Sequence, residues 1–388
     1  MRALVYDAFG EVPTVRDVPD PDCPADGAVI SVGATGLCRS DWHAWVGHDD
    51  SVRLPHVGGH EYAGTVAAVG AHVRDWAVGD RVTVPFVCAC GTCPACLEGH
   101  GNVCERQTQP GFDLPGSFAD LVAVRHADVN LVRLPDTVPM AAAAALGCRF
   151  ATAHRAVVGL GRVRAGQWVA VHGCGGVGLS AVQVAVARGA RVVAVDVSPA
   201  ARTAAGQLGA ELTLDPGSAP AAARATARAI RQATDGGAHL SLDAFGSRAT
   251  FAASVACLRA RGRHVQVGLL LGDEAAPPLP AGALIGRELE ILGSHGMAAA
   301  DYPALLAEVE SGALDPAALV ARTIGLAEAG PALAEMDRPS SPGVTVVHVD
   351  TDDASYGPRD QGRQCGRPAR PDPTADADSP SAALSCRS

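Results

Sequence analysis

The sequence predicts an α/β protein: a doubly wound, parallel-sheet domain beside a β-rich domain. Three observations carry this. Residues 1–150 hold Gly, Pro and Val in short alternating runs broken by turn residues, a β pattern with few helical periods. From Trp168 onward, apolar strand-like runs alternate with Ala-rich helical stretches, the mark of βαβ units. At 388 residues the chain has room for two or three domains of about 100–200 residues each.

Taken in order, Met1–Asp7 reads as an alternating strand. In the second part, strands are expected near 168–172, 191–196, 211–214, 239–243, 263–268 and 289–293, with helices such as Val177–Arg188 and Thr250–Arg261 between them. Helices over Tyr302–Glu310 and Leu326–Met336 then precede a last strand, Val344–Val349, expected to return to the first domain. The expected divisions are 1–149 for the β-rich domain, 150–294 for the doubly wound domain and 295–350 for the return. Residues 351–388 carry Pro, Asp, Arg, Ser and Gly with almost no large apolar side chains. Such a segment buries too little surface to offset its ordering entropy, so a disordered tail is expected, with Cys365 and Cys386 as idle thiols.

Composition excludes several classes. The net charge of −10, from 41 acidic and 31 basic residues, offers no basic face to nucleic acid. No run reaches the roughly 18 apolar residues of a membrane span, and the first residues lack the apolar stretch of a secretory signal. A cytoplasmic protein is expected. In that reducing compartment, clusters among the twelve cysteines are metal ligands more often than disulfides.

Cys90, Cys93, Cys96 and Cys104 form C-x2-C-x2-C-x7-C within a lobe at 88–105. Four thiolates close a tetrahedral shell around Zn²⁺ and leave no place for water, which makes a structural site. An iron–sulfur cluster would want a fourth cysteine after three residues, followed by Pro; here Cys104 precedes Glu105. Cys88 is read as a bystander.

Cys38, Ser40, Asp41 and His43 crowd one segment, His60 and Glu61 follow a Gly-Gly pair, and Cys148 sits in Leu146-Gly147-Cys148-Arg149-Phe150. Each alone is more often core than ligand. Together Cys38, His60 and Cys148 make a Cys₂His set with one open position, the pattern of a catalytic zinc.

Trp168–His172 leads into Gly173-Cys174-Gly175-Gly176-Val177-Gly178 and an Ala/Val-rich helix, a G-x-G-x-x-G in the strand–turn–helix setting it requires. Glycines allow the tight turn and close approach of a pyrophosphate to the helix N-terminus. Asp196, at the end of the next strand, stands near the spacing of about 20 residues expected for the acid that binds a ribose 2′-hydroxyl. Cys174 reads as a small residue fitting a crowded turn.

These motifs resemble the zinc-containing alcohol dehydrogenases of the medium-chain dehydrogenase/reductase family, from residue 1 to about 350. The resemblance implies a GroES-like catalytic domain and two zinc ions per chain, one catalytic and one structural. It also implies reversible oxidation of an alcohol to an aldehyde or ketone with hydride transfer to NAD. It assigns Cys38, His60 and Cys148 to the catalytic zinc. Glu61 lies behind the metal and approaches it during ligand exchange. Asp41 orients the ligand histidine, whose free ring N–H needs an acceptor. Ser40 passes the alcohol proton through the nicotinamide ribose toward His43. Arg39 meets cofactor phosphate, and Val265–Leu269, including Val267, passes the nicotinamide. Relatives form homodimers or homotetramers.

Phe86, Trp42 and Trp45 are candidates for the wall of the alcohol pocket or for ordinary core. The zinc-free quinone reductase branch is disfavoured because every ligand position is filled. A polyol or formaldehyde dehydrogenase of the same family is the alternative, although many polyol enzymes carry Glu where Cys148 stands. A non-catalytic zinc- and nucleotide-binding protein is the other, against which the complete ligand and relay sets speak.

One expectation concerns the tail. Deleting residues 351–388 should leave the midpoint of thermal unfolding and the activity unchanged, as read by calorimetry and assay of the truncated chain; aggregation or lost activity would overturn it.

Overall fold

The computed structural model describes residues 1–217, 222–338 and 342–349; the expected tail 351–388, with Cys365 and Cys386, lies outside the described residues. Six strands form a parallel sheet in the order Leu212–Leu214, Arg191–Val195, Trp168–His172, Ala238–Asp243, Leu258–Gln266, Glu290–Gly293. Val- and Ala-rich runs suit such strands because helices cover both faces. Val169, Val171, Val192 and Ala194 are wholly buried. Parallel neighbours need crossovers, and Gly176–Ala187, Pro199–Gln207, Ala222–Ala233, Arg248–Ala256 and Ala281–Arg287 supply them. The strand order reverses between Trp168–His172 and Ala238–Asp243. The loops after His172 and Asp243 therefore flank the crevice in which such sheets bind ligands.

One helix is shorter than the sequence suggests. Thr250–Arg261 is expected to be helical throughout, but the helix ends at Ala256, and Leu258–Arg261 already belong to the next strand. Ala and Arg favour helix intrinsically. Pairing of Leu258 with Ala238 and of Arg263 with both Leu240 and Glu290 overrides that preference.

In the β-rich part, Ala28–Leu37 is the hub. It runs antiparallel to Glu61–Val69, Leu121–Val124 and Val344–His348. The last strand thus lies beside the first domain's longest strand, with Val346 opposite Gly36, and Val320–Gly325 extends the same sheet. A helical run from Met140 to Leu160, with π-helical turns at Leu146–Phe150 and Arg155–Leu160, crosses from one part to the other. The division at 149/150 falls inside it. π-Turns are frequent at functional sites, and the first of these carries Cys148 and Arg149.

Two large cores result. One joins Leu146, Phe150 and Tyr302 to Val169 and Leu242 beneath the parallel sheet. The other gathers Leu4, Ile30, Tyr62, Phe118 and Leu333 in the β-rich domain. The 88–105 lobe has a buried cluster of Ala89, Cys90, Cys93 and Cys104 instead, too few apolar groups to hold a lobe without a cross-link. No helix among the described residues is long and apolar enough to cross a membrane.

Candidate active site

The short helix Arg39–Trp45 begins at Cys38, whose extended backbone makes it the N-cap. Asp41 reaches back, and its Oδ2 accepts the Cys38 N–H at 2.9 Å. Its Oδ1 accepts the Gly59 N–H at 3.1 Å and a bond from His60 Nδ1 at 2.7 Å. A carboxylate only accepts, so Nδ1 of His60 carries the hydrogen and Nε2 presents a lone pair. That Nε2 is buried and has no hydrogen-bond partner among the described residues. The Cys38 and Cys148 sulfurs, a Glu61 oxygen and a His60 nitrogen lie within 4.8 Å of one another. The neighbouring Cys148 thiol, against burial, draws Cys38 well below the ordinary thiol range; the Arg149 cation acts in the same direction. An orphaned imidazole lone pair facing two thiols, one of them held toward thiolate, fits a divalent metal of borderline softness.

Glu61 points its carboxylate at Arg149. Its Oε1 accepts from the Arg149 backbone N–H at 2.8 Å and Nε at 3.0 Å, and its Oε2 accepts from Nη2. Burial pushes the Glu61 carboxyl up to about 7 while the Arg149 charge pulls it down.

The second cysteine set is equally compact. Cys93 Sγ lies 3.4 Å from Cys96 Sγ and 3.7 Å from Cys104 Sγ. Backbone N–H groups of Cys90 and Arg106 point at Cys104 Sγ, each at 3.3 Å. The backbone N–H of Thr92 lowers Cys90 to about 5, which favours the thiolate that a metal requires. Cys88 stands apart: its thiol reaches the Pro85 carbonyl at 3.8 Å, and burial pushes it up to about 12.

Ser40 and His43 lie on the same helix as Asp41. Burial lowers His43 below the usual imidazole value, with His48 adding to the effect. The two rings meet Nδ1 to Nδ1 at 3.0 Å. Arg39 is exposed and folds over the Trp42 ring, 4.5 Å from its centroid.

At the glycine loop, Gly173 has φ +89, and a Cβ on Gly178 would fall 1.8 Å from the Gly173 carbonyl oxygen. A Cβ on Gly175 would meet nothing within 4 Å, so that side of the loop is open. Val177 follows Gly176 in the first turn of the helix. Asp196 accepts from the backbone N–H of Cys174 at 2.7 Å and of Ser198 at 2.8 Å. Val267, just past the end of its strand, donates its N–H to the Asp243 carbonyl at 3.0 Å. Cys174 is wholly buried in the turn.

Of the three aromatic candidates, Phe86 is the one whose ring meets His60, 6.2 Å from it and 5.2 Å from the ring of His295. Trp42 packs on the His43 and His48 rings. Trp45 is core: it is buried and donates its indole N–H to the Glu11 carbonyl. The sequence points to loops near 42–55, 86, 112–118 and 269–297 as shaping the pocket; Phe112, whose ring lies 4.9 Å from that of His60, His48 and His295 lie in them without being singled out, and the pairing of Arg149 with Glu61 is not anticipated. No local pattern marks any of them.

Comparison with known proteins fits this geometry. Residues 24–136 match the alcohol dehydrogenase GroES-like domain, and residues 176–311 match the zinc-binding dehydrogenase family. An alcohol dehydrogenase of Geobacillus stearothermophilus is 34% identical over 298 residues, 76% of this chain and 84% of that protein. The chain belongs to the zinc-containing alcohol dehydrogenases. An alcohol dehydrogenase of Rhizobium meliloti (strain 1021) is 36% identical over 71% of the chain and 79% of its own length. The alcohol dehydrogenase TADH from Thermus sp. ATN1 superposes with a TM-score of 0.81 at 32% identity, covering 90% of this chain and all of that one. The protein is therefore an oxidoreductase that oxidises alcohols with zinc and a nicotinamide dinucleotide.

The metal content follows. Purified enzyme should hold two zinc ions per chain by elemental analysis. Cys93→Ser should lose one of them and unfold at lower temperature, with the Cys38–His60–Cys148 set intact. Iron in place of zinc would contradict this.

Proposed function

We propose that Cys38, His60 and Cys148 hold the catalytic zinc, that Cys90, Cys93, Cys96 and Cys104 hold a structural one, and that the enzyme oxidises a small alcohol with NAD in preference to NADP. The observation that carries the first assignment is the buried, unpartnered Nε2 of His60 beside two thiols. Bound there, the metal supplies the Lewis acidity that lowers a hydroxyl pKa at its open position, and the dinucleotide takes the hydride.

The chain's own residues do the rest. Asp41 locks the His60 tautomer. Ser40 takes the alcohol proton and His43 accepts it next. His48, exposed and in nitrogen-to-nitrogen contact with His43, delivers it to water. Gly173, Gly175, Gly176, Val177 and Gly178 seat the pyrophosphate, Arg39 meets phosphate, and Val267 flanks the nicotinamide. Phe86, Phe112 and His295 wall the alcohol pocket. Among the described residues Glu290–Gly293 has a neighbour on one side only, and Ile285, in the helix before it, is 81% exposed, which supports association of copies along that edge into a homodimer or homotetramer. No disulfide joins the described cysteines, which supports a cytoplasmic setting.

His43 is held below its ordinary pKa, so it is neutral at neutral pH and free to accept a proton. As pH falls through that lowered value the ring is already charged and the path closes. His43→Gln should slow alcohol oxidation most just above that lowered value, where the wild-type ring is neutral and hydroxide is too scarce to replace it, and added imidazole should restore part of the rate. Identical pH–rate profiles would remove His43 from the path.

The cofactor preference rests on Asp196. Its carboxylate stands at the end of the second strand of the parallel sheet, where a 2′-phosphate would face it. Two unit charges at contact repel by about 1–4 kcal/mol, depending on local dielectric. At 1.4 kcal/mol per tenfold, the bias toward NAD is about ten- to several-hundred-fold. Arg202 is the nearby cation, and it is engaged elsewhere. Its guanidinium lies 3.1 Å from Asp215 and donates to the Asp196 and Val197 carbonyls at 2.7 and 3.0 Å. Asp196→Ser should raise kcat/KM with NADP and weaken NAD binding; wild-type enzyme that uses NADP equally well would show that Asp196 does not face the ribose.

A further inference from the structure

Between the two domains lies a buried arginine for which the scheme above has no task. Arg149 is 6% exposed. Its guanidinium and backbone N–H hold the Glu61 carboxylate, and Nη1 donates to the Leu37 carbonyl at 3.0 Å. Leu37 precedes Cys38, Glu61 follows His60, and Arg149 itself follows Cys148. From its place beside Cys148, this residue thus bonds the neighbours of the other two members of the Cys₂His set: the Leu37 backbone carbonyl and the Glu61 carboxylate.

Its aliphatic stem faces the other domain. A Cβ on Gly176, in the glycine loop, would stand 2.5 Å from Arg149 Cδ and 3.4 Å from Nε. On the opposite flank, a Cβ on Gly36 would stand 2.4 Å from Glu61 Oε2 and 2.8 Å from Arg149 Nη2. Both glycines are bare where the ion pair passes. A buried ion pair adds little net stability, because desolvation offsets its attraction. Fixing geometry is the better account of this one, since it touches the dinucleotide loop and the metal-ligand backbone at once.

We propose that Arg149 is a positioning residue that couples dinucleotide binding to the catalytic metal site. A dinucleotide seated on Gly173–Gly178 fixes the start of the helix at Gly176. Gly176 then fixes the Arg149 stem, and the guanidinium fixes the Leu37 carbonyl before Cys38 and the Glu61 carboxylate after His60. Coupling between two binding sites is reciprocal: dinucleotide tightens the hold on the catalytic metal, and the metal tightens the hold on dinucleotide by the same factor. The proposal rests on Cys38, His60 and Cys148 being the metal ligands.

The test measures binding, not turnover. Full-length, zinc-loaded enzyme is titrated with a chromogenic chelator, with and without saturating NADH. In wild type, the apparent affinity for one of the two zinc ions should rise at least about fivefold with NADH, the low end of ordinary coupling between sites. In Arg149→Met, which keeps the stem and loses the charge, NADH should still bind by fluorescence but leave zinc affinity unchanged. Arg149→Lys should recover part of the effect. Gly176→Ala, pressing on the same stem from the dinucleotide side, should shrink the NADH effect too, and it provides the test if Arg149→Met fails to fold. Full protection by NADH in Arg149→Met or Gly176→Ala, or none in wild type that holds two zinc ions, would overturn the coupling alone. A Cys38→Ser variant that still holds two zinc ions would overturn the site assignment, and the coupling with it.

Discussion

The catalytic half of the molecule depends on one buried carboxylate. Asp41 is 2% exposed, and an ionised acid in such a place is costly unless its oxygens are hydrogen-bonded. Its partners are the Cys38 N–H, the Gly59 N–H and His60 Nδ1. They belong to the start of a helix, a glycine turn and a ligand ring. One group therefore sets the spacing between two of the proposed metal ligands, Cys38 and His60, and the tautomer of the second. The turn itself allows no substitute: Gly59 has φ +96, and a Cβ there would fall 2.6 Å from the Phe118 backbone nitrogen. Strand register supports the arrangement from below. Gly36 lies opposite Glu61 in the sheet, so Cys38, just past one strand, and His60, just before the other, emerge on the same edge.

The dinucleotide half uses the same device at another strand end. Asp243 is wholly buried and accepts from Phe245 N at 3.0 Å, Gly246 N at 2.9 Å, Thr250 Oγ1 at 2.9 Å and Gln266 Nε2 at 3.1 Å. Burial raises its pKa and these bonds oppose the rise. The loop they shape interlocks with the loop after the neighbouring strand, since a Cβ on Gly246 would lie 2.2 Å from the Leu269 carbonyl oxygen. Val267 sits at that junction. Both faces of the reaction space thus stand on backbone held by a buried aspartate, which limits motion where hydride transfer needs near-contact geometry.

What could be read from the sequence divides along a physical line. The glycine loop, the four-cysteine spacing and the Val/Ala strands were legible because each is a local requirement: a turn, a metal shell, a strand covered on both faces. The end of the helix at Ala256 was not. Leu258–Arg261 has the composition of a helix and becomes strand through partners some 20 residues before it and nearly 30 after it. Arg149 was illegible for the same reason. A cation beside a ligand cysteine reads as a surface residue until Glu61, 88 positions away, is seen to face it. Trp45, offered as pocket wall or core, proved to be core through its bond to Glu11. Phe112, His295 and His48 acquire their places only in three dimensions.

The same division separates the two metal sites in folding. The four cysteines of the lobe are close along the chain, so little loop entropy opposes their convergence, and the metal stands in for the apolar core that the lobe lacks. The Cys38–His60–Cys148 set cannot form until the antiparallel sheet has set its register and the Met140–Leu160 run has docked. Gly147 makes that docking tight, since a Cβ there would lie 3.1 Å from Glu61 Cα. An ion held by Cys38, His60 and Cys148 would therefore draw its affinity from tertiary structure, whereas one held by the four cysteines of the lobe would help to create structure. The pocket inherits this dependence. Phe86 and Phe112 come from the β-rich domain, while His295 follows the last strand of the parallel sheet. A change in how the two domains meet would move His295 against Phe86 and Phe112 and reshape the proposed pocket without altering Cys38, His60 or Cys148.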